Sequence, residues 1–305
     1  MKSYILYILV LISSCTIEHS DEFDKLTTSY FKFDELGNYD SARIIGEASL
    51  ELAQKYFEPF DTRTAQAHNN MAEMLRELGQ LTSAIPHYQK AIEIWTVNKD
   101  SLLLARANQN LGLLYLNGQE YENASIHLSK SIDLLEGLHL DKDERIITPK
   151  TILGYIAIAK NDLDKAEDYF MEALVLTEAH YSTNEIEFGQ IYRDLFFLYF
   201  HQRKFDRSYE YLTKSREIFL KNFDPTHPTM ATLYSHLGSY FHVQNEIDSA
   251  EYYYLKSLSI RAIQTDRINS KAFQTLKNLG RLYTDQGDSI NAKKYIDLAN
   301  SLESL

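Results

Sequence analysis

The feature that most limits what this 305-residue chain can fold into is a spacing. With Ala84 as reference, a small residue recurs at Ala42, Ala84, Ala124, Ala166, Ser208, Ala250 and Ala292, in steps of 42, 40, 42, 42, 42 and 42. Twelve residues earlier, most copies carry another small residue: Ala72, Gly112, Gly154, Gly238 and Gly280. Four residues later stands a larger one: Tyr88, Leu128, Phe170, Leu212, Tyr254 and Ile296. Ala84, Tyr88 and Ala91 follow the i, i+4, i+7 pattern of one helical face. Small residues at both reference places let two antiparallel helices approach closely. A hairpin of this kind cannot bury its apolar face alone, so copies stack on their neighbours. Two copies depart from the pattern. Phe196 stands where five other copies have Gly or Ala, which predicts a wider or shifted fifth hairpin, and the first copy, with Gly46 and Ser49, is the weakest match.

Each copy reads as a helix of about 16 residues, a turn, and a helix of about 18. Turn residues fall at Gly37-Asn38, Gly79-Gln80, Gly118-Gln119, Asn161-Asp162, Arg203-Lys204, Asn245-Glu246 and Gly287-Asp288. Asp61-Thr62, Asp100-Ser101 and Asp224-Pro225-Thr226 offer N-cap chemistry between copies. The small-residue and aromatic pattern resembles the tetratricopeptide repeat, whose usual period is about 34 residues. The longer period is similar to the repeats of kinesin light chain, in phrases such as Ala84–Ile94 and Thr226–Tyr240. The resemblance implies an all-α fold: a right-handed superhelical solenoid of about seven antiparallel helix-turn-helix repeats. Their approximate spans are 23–60, 61–99, 100–141, 142–183, 184–225, 226–267 and 268–305.

The N-terminus reads differently. Lys2 precedes a nine-residue apolar run, Tyr4 to Ile12, too short for a bilayer core, which needs about 20 residues. Ile12-Ser13-Ser14-Cys15 resembles the bacterial lipobox, which implies a lipoprotein signal peptide over 1–14, cleavage before Cys15 and acylation of Cys15. Residues 15–22 are then an acylated Cys and tether, and 23–305 the solenoid. The expectation is a chain lipid-anchored to a membrane of the bacterial cell envelope. Cys15 is the sole cysteine, which excludes an intrachain disulfide and any multi-cysteine metal site.

Lys plus Arg number 31 against 43 Asp plus Glu, a formal charge of −12 with no basic block, which argues against a nucleic-acid partner. No phosphate loop, nucleophile elbow or zinc-protease motif occurs, so neither enzyme activity nor a cofactor or metal is expected. His236 and His242 lie six apart, off the spacing for two ligands on one helical face. His87 and His127 share a repeat position with Tyr169, Tyr211, Tyr253 and Tyr295, which reads as packing between repeats.

Binding is the better expectation. In the repeats this chain resembles, the first helix lines a concave groove. Carried over residue by residue, the lining is Asn69, Glu73 and Arg76; Gln109, Leu113 and Leu116; Thr151, Tyr155 and Ile158; Arg193, Phe197 and Phe200; Ser235, Ser239 and His242; Lys277, Arg281 and Thr284. Asn70, Asn110 and Asn278 match groove asparagines of such arrays. The middle copies are apolar there and the outer ones polar, the pattern of a partner site. The implied function is a non-enzymatic scaffold for a peptide or protein partner. The alternative is the sensory or regulatory half of a signalling or proteolytic system whose effector is a separate chain. Ile296, Ala299 and Leu302 form an apolar stripe with no next hairpin to cover it, which predicts a homodimer through the C-terminal repeat or a partner there.

Overall fold

The computed structural model describes residues 19–34, 38–263 and 270–303; the segment 1–14 and Cys15 lie outside them. The helices are α1 (residues 19–34), α2 (Tyr39–Tyr56), α3 (Thr62–Glu77), α4 (Leu81–Asn98), α5 (Ser101–Asn117), α6 (Tyr121–Gly137), α7 (Ile147–Ala159) and α8 (Leu163–His180). They continue with α9 (Ile186–His201), α10 (Phe205–Asn222), α11 (Pro228–Val243), α12 (Ile247–Ile263), α13 (Ser270–Asp285) and α14 (Ser289–Glu303). A 3-10 turn, Glu144–Ile146, precedes α7, and no strand occurs among the described residues. The helices pair in chain order into seven antiparallel hairpins. The chain forms two compact units, 1–153 and 154–305, with the boundary inside α7. No described helix is long and apolar enough to cross a membrane.

The small reference residues are where each hairpin closes. Ala42, Ala84, Ala124, Ala166, Ser208 and Ala250 are fully buried and Ala292 nearly so. The larger residue four positions on lies over the small residue of the first helix: Phe170 over Gly154, Tyr254 over Gly238, Ile296 over Gly280. A β-carbon on Gly238 would come within 2.5 Å of the Tyr254 ring, so the glycine is required by the approach. The fifth hairpin is not held apart. Ser208 still donates to the Phe196 carbonyl at 3.4 Å, while the buried Phe196 ring turns toward Phe200 and His236. Its close approach moves to Gly189, whose carbonyl accepts from Ser215 at 2.7 Å beneath Phe219.

The position shared by His127, Tyr211, Tyr253 and Tyr295 packs within a hairpin, not between repeats as its sequence equivalence suggests. Each ring stacks on a first-helix ring twelve residues earlier, in the pairs Tyr115–His127, Tyr199–Tyr211, Phe241–Tyr253 and Tyr283–Tyr295. The hydroxyls of two of those rings add polar contacts between successive hairpins, beside apolar ones such as Tyr209 stacked on Tyr240. Tyr199 donates to Glu167 at 2.8 Å, and Tyr283 donates to Glu251.

The hairpin turns share one backbone motif. In the six described turns the residue five before the reference position is left-handed, with φ of 75° at Gly79, 59° at Gln119, 60° at Asn161, 57° at Arg203, 60° at Asn245 and 77° at Gly287. Its N–H and the next one bond back into the last turn, as in Gly79 to Arg76 and Gln80 to Leu75, a Schellman-type stop. In the third hairpin the left-handed residue is Gln119, with Gly118 in an ordinary conformation at φ −80°. Asp61 and Asp100 cap α3 and α5 as expected. Asp224 instead closes a turn on Thr226, and His227 caps α11.

Both ends differ from expectation. α1 already includes residues 19–22, expected as tether: His19 stacks on Tyr56 at 3.6 Å and Phe23 is buried. In α14 the expected outward stripe is divided: Ala299 is internal, while Ile296 is 40% exposed and Leu302 half-buried. Ala299 is fully buried and Ile296 reaches in over Gly280, because both belong to the face that closes the hairpin. The large apolar residues facing outward are Ile290, Leu298 and, in part, Ile296.

Two outcomes follow for stability. Gly238→Ala should cost about 1–3 kcal/mol by overpacking Tyr254, and Arg203→Gly should gain up to about 1 kcal/mol by relieving a left-handed non-glycine residue. Urea unfolding of both variants measures this; a neutral Gly238→Ala would contradict the close approach.

A pH dependence follows from a buried pair in the second hairpin. His68 and His87 share a hydrogen bond between their Nδ1 atoms at 3.0 Å. Burial pushes both imidazoles down, with the neighbouring His87 adding to the effect on His68, which falls to about 4. Well above pH 6.5, both rings are neutral whether the chain is folded or not. Between pH 6.5 and about 4 the unfolded chain takes up protons that the folded pair refuses, so stability falls as pH drops. The third hairpin holds Asn108 and His127 in the same two positions, 2.9 Å apart. His68→Asn should therefore keep the hydrogen bond and shrink the loss of melting temperature between pH 6.5 and 5; an unchanged loss would contradict the assignment.

Candidate functional site

Each unit holds a cavity whose lining comes mainly from first helices. In the second unit it encloses about 660 Å³ and is lined by residues of α7, α9, α11, α12 and α13. Along α9, Arg193, Phe197 and His201 follow at i, i+4, i+8; along α11, Thr232 and His236 form one such row and Ser235 and Ser239 another; Gln274 and Asn278 repeat it on α13. Helical periodicity thus aims four rows of side chains at one space.

One wall is aromatic. Phe197 lies 5.7 Å from Tyr155, 4.3 Å from His201 and 6.3 Å from His236, centroid to centroid. Beneath it sits a buried ionic cluster: Asp194, 3% exposed, accepts at Oδ1 from the Tyr155 hydroxyl and from Arg193, whose Nε and Nη2 lie 3.2 and 3.1 Å away. Burial, reinforced by the Asp194 charge, holds the Tyr155 phenol well above its ordinary range. Burial also raises the Asp194 carboxyl, against the pull of Arg193 and Tyr155. The opposite wall is polar. Arg261, buried and therefore lowered to about 10, donates to Thr275 Oγ1 at 2.7 Å and lies 3.5 Å from Thr232 Oγ1. Ser239 accepts from Tyr254 at 3.2 Å and from Asn278 at 3.5 Å, and Gln274 donates to Asn278 at 3.0 Å. Burial, then the charges of Arg193 and Arg261, push His236 down to about 3, so its ring stays neutral, and its Nδ1 has no hydrogen-bond partner.

The first unit's cavity is smaller, about 540 Å³, and centres on α3, α5 and α6 with Arg145 at its edge. Glu73 organises it: Oε1 accepts from Asn69 at 3.0 Å, Asn110 at 2.6 Å and Arg106 at 3.3 Å. Gln109 lines it as well, beside Leu102, Leu103 and the buried Ser131.

Of the residues expected to line a groove, Tyr155, Arg193, Phe197, Ser235, Ser239 and Asn278 meet in the second cavity, and Glu73, Gln109 and Asn110 in the first. Asn69 is buried and reaches the first cavity only through Glu73. Asn70 is also buried and accepts from Gln66 at 2.6 Å, away from that lining. Arg76 pairs with Glu77 at 2.6 Å, and Phe200 packs on Phe196 and Phe205 inside its own hairpin. Leu113, Leu116, Thr151 and Ile158 are half-buried outside either lining. His242 pairs with Asp285 at 3.0 Å, Lys277 sits over Phe273, and Arg281 and Thr284 are exposed. Residues eight before the reference position stand in the last turn, where the chain already bends away. Sequence reasoning missed His201, Thr232, His236, Arg261 and Gln274. His201 and Gln274 extend the expected rows by one turn, a signal present in the i, i+4 spacing, and Thr232 and His236 stand three residues before Ser235 and Ser239 on the same helix. Arg261 comes from a second helix and had none. Among the described residues no group of three His, Cys, Asp or Glu is placed to hold a metal.

Comparison with known proteins agrees with this architecture. Tetratricopeptide repeat family models match residues 33–96, 63–137, 150–180, 187–262 and 274–304. Response regulator aspartate phosphatase I of Bacillus subtilis is 23% identical over 249 residues, covering 80% of this chain and 59% of its own length. Protein KINESIN LIGHT CHAIN-RELATED 1 of Arabidopsis thaliana is 21% identical over 233 residues, covering 74% of this chain and 37% of its own length. The chain therefore spans less than two thirds of either relative. Among solved structures, the apo form of RapI superposes with a TM-score of 0.75 at 13% identity, over 93% of this chain and 98% of that one. The Rap conjugation gene regulator of the plasmid pLS20, solved with the Phr* peptide, gives a TM-score of 0.64 at 16% identity, over 96% of this chain and 76% of that one. With the repeat spacing, the seven closed hairpins and the family match running over most of the sequence, the chain belongs to the tetratricopeptide-repeat family.

Proposed function

We propose that this protein is a non-enzymatic binding module that holds a peptide segment of a partner in the cavity of its second unit, tethered to a membrane of the bacterial cell envelope through a lipid on Cys15. The observation that carries the binding reading is the cavity itself. About 660 Å³ of space, walled by Phe197, Tyr155 and two histidine rings and faced by amides and hydroxyls, suits an extended peptide with an apolar side chain. The plasmid regulator with a similar fold is solved with a peptide, which supports the same class of ligand here. Lipid anchoring rests on the Ile12-Ser13-Ser14-Cys15 sequence alone.

The second reading makes the chain the sensory or regulatory half of a signalling or proteolytic system, with its effector a separate chain. It is favoured by the name of the relative, response regulator aspartate phosphatase I, whose length this chain covers to 59%. A partner captured by the purified protein separates the two: a regulator or protease supports this reading, an envelope structural protein the first. Self-association through α14 has a narrower basis, the outward-facing Ile290 and Leu298.

Phe197 is half-buried and gives its ring to the cavity, so Phe197→Ala should weaken a bound peptide by about 2 kcal/mol while helicity stays at the wild-type level. Fluorescence polarisation with a peptide selected by the protein, beside far-ultraviolet circular dichroism, reads both. Unchanged affinity would contradict the placement of the peptide. For the anchor, Cys15→Ser should abolish incorporation of labelled fatty acid and release the protein from the membrane fraction; retained label would refute it.

A further inference from the structure

The first unit is apolar at one end and polar at the other. Its helices alternate in direction, so the starts of first helices and the finishes of second helices gather at a single end. There Tyr56, Phe60, Val97, Leu102 and Leu138 stand 38% to 57% exposed. At the other end, the exposed residues of the turns after α3 and α5 are Gly79, Gln80, Asn117, Gly118, Gln119 and Glu120. Two further exposed apolar residues among the described ones of this unit, Ile44 and Ile126, sit singly in the second turn of α2 and α6. Contacts tie the loops of the apolar end together. The Asn98 side chain donates to the Phe60 carbonyl at 2.9 Å, the Trp95 indole N–H donates to Thr62 at 3.0 Å, and Leu103 and Leu134 pack on the cluster around Trp95. Cations lie against its rings: Lys55 over Tyr56 at 4.9 Å, Lys90 over Phe60 at 5.5 Å and Arg63 over Phe57 at 3.7 Å. Three of its carboxylates, Asp61, Asp100 and Asp143, are engaged by Arg63, by the Leu103 N–H and by Arg145.

The position of Cys15 says what covers this end. Cys15 stands four residues before His19, where α1 begins, and four residues reach at most about 14 Å even when fully extended. α1 is fixed to the apolar end: His19 stacks on Tyr56 at 3.6 Å, and the buried Phe23 meets Phe57 edge-on at 5.6 Å. The polar turns lie a helix length further away, about 24 Å for the 16 residues of α3. We infer that the apolar end of the first unit is a lipid-docking surface, with Tyr56, Phe60, Val97, Leu102 and Leu138 set into the boundary between headgroups and acyl chains of the bilayer that holds the Cys15 lipid. This rests on the lipid-anchored reading above and adds an orientation to it. A tyrosine with a cation beside it, among Phe, Val and Leu, suits a boundary that is wet on one side and apolar on the other. In a chain of formal charge −12 the contact draws on apolar burial and needs no anionic lipid.

The test places the acylated full chain in phosphatidylcholine vesicles and introduces single cysteines for a polarity-sensitive fluorophore, since an acylated Cys15 takes no label. Labels at Val97→Cys and Leu138→Cys should emit at shorter wavelength, be quenched by nitroxide-bearing lipid and escape aqueous iodide. Labels at Gln80→Cys and Asn117→Cys should read as in water. All four positions are exposed, so substitution leaves the core intact. Phe60→Asp with Val97→Asp should return the Leu138→Cys label to the aqueous reading, which separates docking by the protein from attraction of the dye itself; an unchanged lipid reading would overturn the docking. Aqueous readings at Val97→Cys and Leu138→Cys, in protein that is acylated and floats with the vesicles, would overturn it too and leave the anchor standing. Label uptake by the chain with no added cysteine, together with failure to float, would overturn the anchor and this orientation with it.

Discussion

Everything in this chain rests on how closely two helices approach in each hairpin. The small side chain of Ala84 and its counterparts, with Gly154, Gly238 or Gly280 facing a ring or branched chain, lets the backbones come near enough for one large residue to fill the space between them. Dispersion and apolar burial are then concentrated at one point per hairpin, and a few tenths of an ångström decide whether they are collected. The stacked pairs such as Tyr199–Tyr211 and Tyr283–Tyr295 lie one turn from that point and inherit their alignment from it. The Schellman stops in the six described turns return the chain at the angle this packing needs. With the hairpin closed, the opposite face of each first helix is left without a partner inside its own repeat.

That leftover face is where function becomes available. Rows such as Arg193, Phe197 and His201 are not needed to close their hairpin, so they are free to line a cavity. The cavity keeps its polar contents because each is held from behind: Arg193 by the buried Asp194, Ser239 by Tyr254 and Asn278, Arg261 by Thr275. Such fixed donors meet a ligand without first having to be ordered, which favours affinity. In the first unit Glu73 plays the organising part, gathering Asn69, Asn110 and Arg106, so its smaller cavity has a different polar character.

Much of this was legible in the amino-acid sequence, and the remainder has physical reasons. The repeat could be read because packing at Ala84 and its equivalents tolerates few residue types, so the constraint shows as a period. For the fifth hairpin Phe196 pointed to a wider or a shifted packing, and the molecule takes the shift, with its close approach at Gly189 and Ser215, places that spacing alone does not reveal. The turn at Gly118-Gln119 lies where the sequence puts it, and the choice between its two residues was not legible: Gln119, not the glycine, takes the left-handed conformation. The groove was half visible. Positions on the i, i+4 rows of one helix, Tyr155, Phe197 and Ser239 among them, follow from helical geometry. Arg261 arrives from a second helix, and Arg76 and Phe200 leave because the chain turns away at their level. Burial of Ala299 shows the same limit, because an apolar stripe read from sequence does not say which of its two sides faces the partner helix.

The central claim is that a peptide lies along the first helices of the second unit. Hydrogen–deuterium exchange of the protein, with and without a saturating selected peptide, tests it most directly. The account predicts added protection in α9, α11 and α13, over Ile186–His201, Pro228–Val243 and Ser270–Asp285, with little change in α8, α10 and α14. Protection confined to those second helices, or to the first unit alone, would contradict it.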